Sequence, residues 1–143
     1  MATGVVCKDE ILESYNAFRL KQAPYDCTFI IYKISDDKAT IEIDTCGDRE
    51  KTYEDFCEAL PENDCRYGLL DLDFETADGR PTSKLVLLQW NPDNAKIKSK
   101  ILYAGSKEAL KASMPGIGIQ VQANDHSELS MEDSILPVVR KFA

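Results

Sequence analysis

The sequence predicts an α+β fold in which helices pack on a mixed or antiparallel sheet, and three observations carry that prediction. Segments with apolar residues every three or four positions are interspersed with alternating or continuous apolar runs, so helical and strand periods both occur along the chain. The strand-like runs come as neighbours joined by short polar turns, which is the pattern of hairpins. Finally, 143 residues with 43% hydrophobic and 29% charged content suffice for one sizeable core but not two. No repeat, linker or low-complexity tract interrupts the chain, so residues 1–143 read as a single domain.

DEILESYNAFRL, residues 9–20, sets Ile11, Leu12, Tyr15 and Phe18 at helical spacing behind Asp9 as an N-cap. CTFIIYKIS, residues 27–35, is β-branched and aromatic, and TIEID, residues 40–44, alternates after a polar DDKA turn; together they predict an antiparallel hairpin. Thr52 opens a short helix with Asp55 three positions on, the spacing of a capping box, and Pro61 follows its end. CRYGLLDLDFE, residues 65–75, reads as a strand with Tyr67, Leu69 and Phe74 as candidates for its buried face, while Asp71, Asp73 and Glu75 form its solvated face. KLVLLQW, residues 84–90, is continuously apolar, as in a central strand covered on both faces, and should pair with the preceding one. Pro92 and Asp93 suit the first turn of a third helix running to about Ser113. A PGIG breaker, the strand IQVQA at 119–123, and a last helical piece from about Ser130 to Phe142, interrupted by Pro137, complete the chain.

Composition then narrows function. Seventeen basic against 25 acidic residues give a net charge of −8, which argues against nucleic acid as a partner. The apolar runs are far shorter than the roughly 20 residues that span a bilayer, and no signal-like apolar region follows the N-terminus. Five cysteines, 8 to 20 residues apart and without a Cys-x-x-Cys pair, fit reduced thiols in a cytosolic protein better than a zinc site. Cys27, Cys57 and Cys65 read as small core residues. A lone His126 in a polar loop must serve any imidazole chemistry, and GIG at 116–118 lacks the spacing and lysine of a nucleotide cradle. These features predict neither an enzyme nor a cofactor.

The third helix stands out. Between Asp93 and Met114 it carries Lys96, Lys98, Lys100, Lys107 and Lys111 against Asp93 and Glu108, a local charge of +3. At about 100° per residue, Lys96, Lys107, Lys100 and Lys111 fall within about 60° of one another, a single stripe. Ala104, Ile97 and Ile101 form a neighbouring apolar stripe, read as the face that docks on the sheet; Leu110 falls out of phase, which suggests a kink near Gly105. A basic ridge of this kind suits an acidic protein surface or a phosphoinositide headgroup, and equally an ordinary solvated helix face.

The residues around this ridge carry a further signal. Trp90-Asn-Pro92-Asp93-Asn-Ala95, Lys98-Ser99-Lys100, Tyr103 and Ser106-Lys107-Glu108-Ala109-Leu110 resemble the signature of the ADF/cofilin family. The N-terminal Ala-Thr-Gly-Val-Val, YNAFRL, TYEDFCEALPENDCRYGLLDLDFE, SKLVLLQW and GIGIQVQANDHSEL resemble the same family in the same order, covering nearly the whole chain. The resemblance implies the ADF-homology fold, a central mixed sheet flanked by helices. It also implies a non-enzymatic, monomeric, cytoplasmic protein of the actin cytoskeleton that binds G-actin and F-actin, prefers the ADP state, severs filaments and speeds their depolymerisation. Weak phosphoinositide binding would accompany the lysine ridge.

Carried over by position, the surface for monomer and filament comprises Thr3, Gly4, Lys98, Lys100, Lys107, Lys111, Asp125 and Glu128. The filament-specific set is Arg80, Lys84, Arg140 and Lys141. Thr3 stands where many relatives carry a phosphorylated serine; a phosphate there would add about −1.5 to −2 charge to a segment lying against actin. The chain departs from the pattern at Thr82-Ser83-Lys84, which keeps one of two basic residues, at Ala112 in place of a second base beside Lys111, and at Pro137. An alternative is a glia-maturation-factor-like relative acting on the actin-branching complex, against which WNPDNAKIKSK and Thr-Gly-Val argue. An enzyme using a cysteine or the acidic strand is the alternative of another class.

Overall fold

The computed structural model describes residues 4–142. After a two-residue strand β1 (Val6–Cys7) come α1 (Asp9–Arg19), β2 (Cys27–Ile34), β3 (Thr40–Asp48), α2 (Tyr53–Ala59), β4 (Arg66–Glu75) and β5 (Pro81–Trp90). There follow α3 (Ile97–Ala112), β6 (Ile119–Ala123), a 3-10 turn at His126–Leu129, a π-helical turn at Met131–Ile135 and α4 (Leu136–Val139). The strands form one mixed sheet in the order β1-β3-β2-β4-β5-β6. Its four inner strands are antiparallel neighbours, whereas β1 and β6 lie parallel to β3 and β5 at the two edges.

Alternation along the strands divides the core into two layers. On one face, Ile11, Tyr15 and Phe18 of α1 and Tyr103 and Leu110 of α3 pack with Ile30, Tyr32, Tyr67 and Leu87. On the other, Phe56 of α2, Leu60 just after it, and Leu129, Ile135 and Val139 of the C-terminal segment pack with Phe29, Leu70, Val86 and Trp90. Burial of β4 and β5 on both faces makes them the centre of the molecule, as the apolar run of β5 predicts. Gly68 on β4 is required by packing: a Cβ there would lie 2.5 Å from the Phe56 ring. The capping box of α2 forms as expected, with Thr52 Oγ1 accepting from Asp55 N and Asp55 Oδ2 accepting from Thr52 N at 2.8 Å.

Five elements differ from the sequence reading. Lys8, not Asp9, is the N-cap of α1, without a side-chain bond, and Asp9 begins the first turn, where its charge favours the positive helix end. β3 extends to Asp48 and β5 begins at Pro81, because each has a partner strand to pair with beyond its alternating run. Asp71 does not belong to a solvated face: it is buried on β4, and its Oδ2 accepts a 3.0 Å bond from Nη1 of Arg49, whose Nε also donates to Asp26 Oδ1 at 2.8 Å. A buried carboxylate needs such a partner. Finally, residues 92–96 form a turn closed by Ala95 N to Pro92 O at 3.0 Å, and α3 starts only at Ile97.

Candidate functional site

α3 is held on the sheet by a narrow stripe of Tyr103, Ser106 and Leu110, all buried. Tyr103 fastens it at two points: its hydroxyl accepts from Ile34 N at 2.9 Å, and its carbonyl accepts from the Tyr67 hydroxyl. These three residues lie about 280–340° around the helix from Lys96, so the lysines at about 0–60° flank the buried stripe. Lys100, Lys107 and Lys111 are accordingly half-buried at their stems.

The apolar stripe assigned to the sheet from sequence points the other way. Ile97 and Ile101 are 73% and 65% exposed, among the most exposed large apolar residues described. The helix runs unbroken through Gly105, and Leu110, instead of being out of phase, defines the docked face together with Tyr103. Hydrophobicity alone groups the isoleucines, whereas Tyr103 and Leu110, seven residues apart, mark the buried face, since seven residues bring a helix back to about the same side. What the helix offers outward is therefore Ile97, Ile101 and Ala104, bordered by Lys96, Lys100, Lys107 and Lys111 on one side and by the exposed Lys98 on the other.

Charge accumulates at the start of α3. No acidic residue lies in its first turn, and Lys96 caps it without a side-chain bond. Lysines at a helix N-terminus oppose the macrodipole, at about 0.3–1 kcal/mol each. Lys98 and Lys100 thus concentrate positive potential where the helix end is already positive, a local penalty of the sort that marks functional surfaces. Lys100 Nζ donates to Asp93 O at 2.9 Å, which relieves part of that charge and braces the turn before the helix. Lys111 Nζ lies 3.7 Å from Glu108 Oε2, a loose surface pair.

The late loop places Asp125 and Glu128 near the start of α3. Asp93 N donates to Asn124 O at 3.1 Å, joining the two loops directly. Asp125 caps the 3-10 turn by accepting from Glu128 N at 3.1 Å, and Glu128 Oε1 accepts from Asn124 N at 2.8 Å, so the two carboxylates brace the loop reciprocally. Bonds from the Ser127 hydroxyl and then the Glu128 amide hold the Asp125 carboxyl below its usual pKa. His126 is exposed beside them, its ring edge-on to Trp90 with centroids 5.1 Å apart. At the N-terminus, Gly4 is exposed with φ of +81°, a conformation that favours glycine, immediately before the buried Val5. Thr3 lies outside the described residues.

Arg80 and Arg140 lie elsewhere, at the β4–β5 hairpin, and Lys84 stands apart from them. Arg140 Nε donates to Glu75 O at 3.0 Å, and Glu75 faces Pro81 across the hairpin, next to Arg80. Arg80 pairs with Asp78 at 2.9 Å, both side chains exposed. Lys84 faces Leu72 further along β5, and Lys141 is exposed beside Arg140. Pro137 does not break the chain here: Ile135 N reaches back to Ser130 O at 3.0 Å, a π-helical turn, and Pro137 then sits in the first turn of α4, where its missing N–H is harmless.

A mixed sheet between two helical layers, with one long helix presenting an apolar, lysine-bordered face, defines the ADF-homology class of fold. A solved actin depolymerization factor 2 from Plasmodium berghei matches at a TM-score of 0.84 and 28% identity over 99% of both chains. A Streptomyces griseoflavus cofilin matches at 0.82 and 32% identity over 94% of this chain and 96% of its own. In sequence, actin-depolymerizing factor 3 of Zea mays is 39% identical over 131 residues, 92% of each chain. A cofilin of Ogataea parapolymorpha is 38% identical over 139 residues, 96% of this chain and 94% of its own. The family model of cofilin/tropomyosin-type actin-binding proteins matches residues 4–136, and the chain belongs to that family.

Proposed function

We propose that this protein binds actin monomers and filaments through α3, prefers the ADP state, and accelerates filament disassembly by severing and subunit loss. The observation that carries the reading is the outward face of α3, where Ile97 and Ile101 stand exposed between a row of four lysines and Lys98 on a helix already pinned to the sheet. A rigid apolar ridge with a cationic border suits insertion into an apolar cleft rimmed by acidic residues: the isoleucines supply desolvated contact area, and the lysines steer and orient the encounter. Lys98, Lys100, Lys107 and Lys111 form that border, and Gly4, Asp125 and Glu128 extend the contact on either side. Thr3, next to Gly4, is the candidate phosphorylation site that would repel an acidic partner.

Filament contact adds a second patch, made of Arg80, Lys84, Arg140 and Lys141. Arg140 follows Val139, which packs in the layer opposite α3, and this separation supports engagement of two neighbouring subunits by one molecule, so that binding can change their packing. The protein acts by binding, as a cytoplasmic monomer without a cofactor, and its lysine ridge gives at most weak affinity for phosphoinositides. Filament co-sedimentation with light scattering tests the proposal: it predicts co-pelleting with actin and faster loss of filament mass. Filaments that neither retain the protein nor shorten in its presence would overturn it.

A further inference from the structure

We propose that Cys27 and Cys46 are a dithiol that closes to a reversible intramolecular disulfide, joining β2 to β3 at the open end of their hairpin. The inference starts from strand register. Ile30 faces Cys46 and Phe29 faces Gly47, but Cys27 faces Asp48, so Thr28 is an extra residue on β2, a β-bulge. In an unbroken strand Cys27 would share the face of Phe29 and Ile31, which pack in the layer with Phe56 and Leu70. The bulge turns it instead into the layer of Ile30 and Tyr32. Cys46, opposite Ile30, lies on that same face two positions along β3 from Asp48, the partner of Cys27, so the two thiols are diagonal cross-strand neighbours.

The pair is also asymmetric in the way a redox couple needs. Cys46 is exposed on the edge-side strand, open to a small oxidant, while Cys27 is buried beside it and positioned to resolve the product. The remaining thiols have other partners: Cys7 Sγ donates to Ala109 O at 3.5 Å, Cys65 Sγ to Asn91 Oδ1 at 3.2 Å, and Cys57 interacts with Tyr53.

A hydroperoxide is the oxidant. The Cys46 thiolate attacks one peroxide oxygen, forming an S–O bond as the O–O bond breaks, and the departing oxygen takes a proton to leave as water or alcohol. The Cys27 thiol then attacks the sulfenic sulfur; the S–S bond forms, and the sulfenic oxygen leaves as water with the proton from Cys27. A dithiol reductant reverses the closure. Packing around its sulfur and the neighbouring Cys27 push the Cys46 thiol up to about 11. Thiolate is therefore scarce at neutral pH, and the closing rate should rise about tenfold per pH unit between pH 7 and 9.

The test is oxidation of the full chain with hydrogen peroxide, alkylation of residual thiols after unfolding, and peptide mapping by mass spectrometry. The expected result is one Cys27–Cys46 cross-link, removed by dithiothreitol, with Cys7, Cys57 and Cys65 alkylated. Cys46→Ser, a change at an exposed position, should abolish the cross-link and leave Cys27 alkylatable. Because Cys27 is buried, Cys27→Ala serves as its partner variant; it should convert the Cys46 product to a sulfenic or sulfinic acid. Cys46 overoxidised in the unaltered chain while Cys27 stays a free thiol, dimers joined through Cys46, or a cross-link to any other cysteine would overturn the proposal.

Discussion

α3 and the C-terminal segment both carry cations proposed for actin contact, yet they present them by opposite means. α3 is one regular helix, fixed by a narrow buried stripe and two bonds to Tyr103, and so it can leave a whole apolar face unpartnered. The segment from His126 to Phe142 passes from 3-10 to π to α geometry and buries Leu129, Ile135 and Val139 among the residues of the second layer. Its cation Arg140 is held by a side-chain bond to Glu75 O rather than by helical regularity. A helix with residues to spare can hold a binding face in reserve; a short segment must anchor each contact individually.

That contrast can be broken at the level of single residues. Leu110→Ala removes a fully buried side chain and should cost about 3 kcal/mol of stability, read from urea unfolding. Ile101→Ala, on the outward face of the same helix, should leave stability within about 0.5 kcal/mol. Equal destabilisation by the two changes would erase the distinction between the stripes.

Replacing Lys98 and Lys100 together by alanine should weaken monomer binding about tenfold, an effect that shrinks as salt screens the charges of the unaltered protein. Titration of labelled actin monomer at two ionic strengths checks both halves of this expectation. For the C-terminal segment the effect should be smaller and confined to filaments. Arg140→Ala frees the segment from β4, and filament co-sedimentation should weaken about threefold while monomer affinity holds; loss of monomer binding would show that the two patches are not separate.

The smallest expected effect concerns the late loop. Asp125 has its folded pKa depressed by the Ser127 and Glu128 bonds. Its contribution is therefore present above the unfolded value, near about 4, and is lost as pH falls through the lower folded value. The His126 ring signals, which sense Trp90, should shift in an acid titration below that point, and Asp125→Asn should remove this step.

Much of this architecture is legible in the sequence because local rules and tertiary packing agree there. Thr52 and Asp55 announce α2, and the apolar run of β5 announces a strand covered on both faces. Sequence reading fails where neighbours decide. β1 is only two residues long and exists because β3 offers it an edge; Asp71 is buried because Arg49 reaches it from another segment. The site shows both outcomes within one helix. Its lysines are visible as a charge stripe, but hydrophobicity alone points to Ile97 and Ile101 as the docked face, and only the seven-residue spacing of Tyr103 and Leu110 marks the true one. Pro137 likewise predicts an interruption without revealing the π-helical turn that absorbs it.

The most direct test of the account is the affinity of the Ile97→Asp, Ile101→Asp double variant for actin monomer, measured beside its thermal unfolding. Both side chains face solvent, so the unfolding midpoint should match that of the unaltered protein, while affinity should fall about a hundredfold as two carboxylates replace the apolar contact. Undiminished affinity in a folded double variant would contradict the claim that the outward face of α3 is the actin-binding surface.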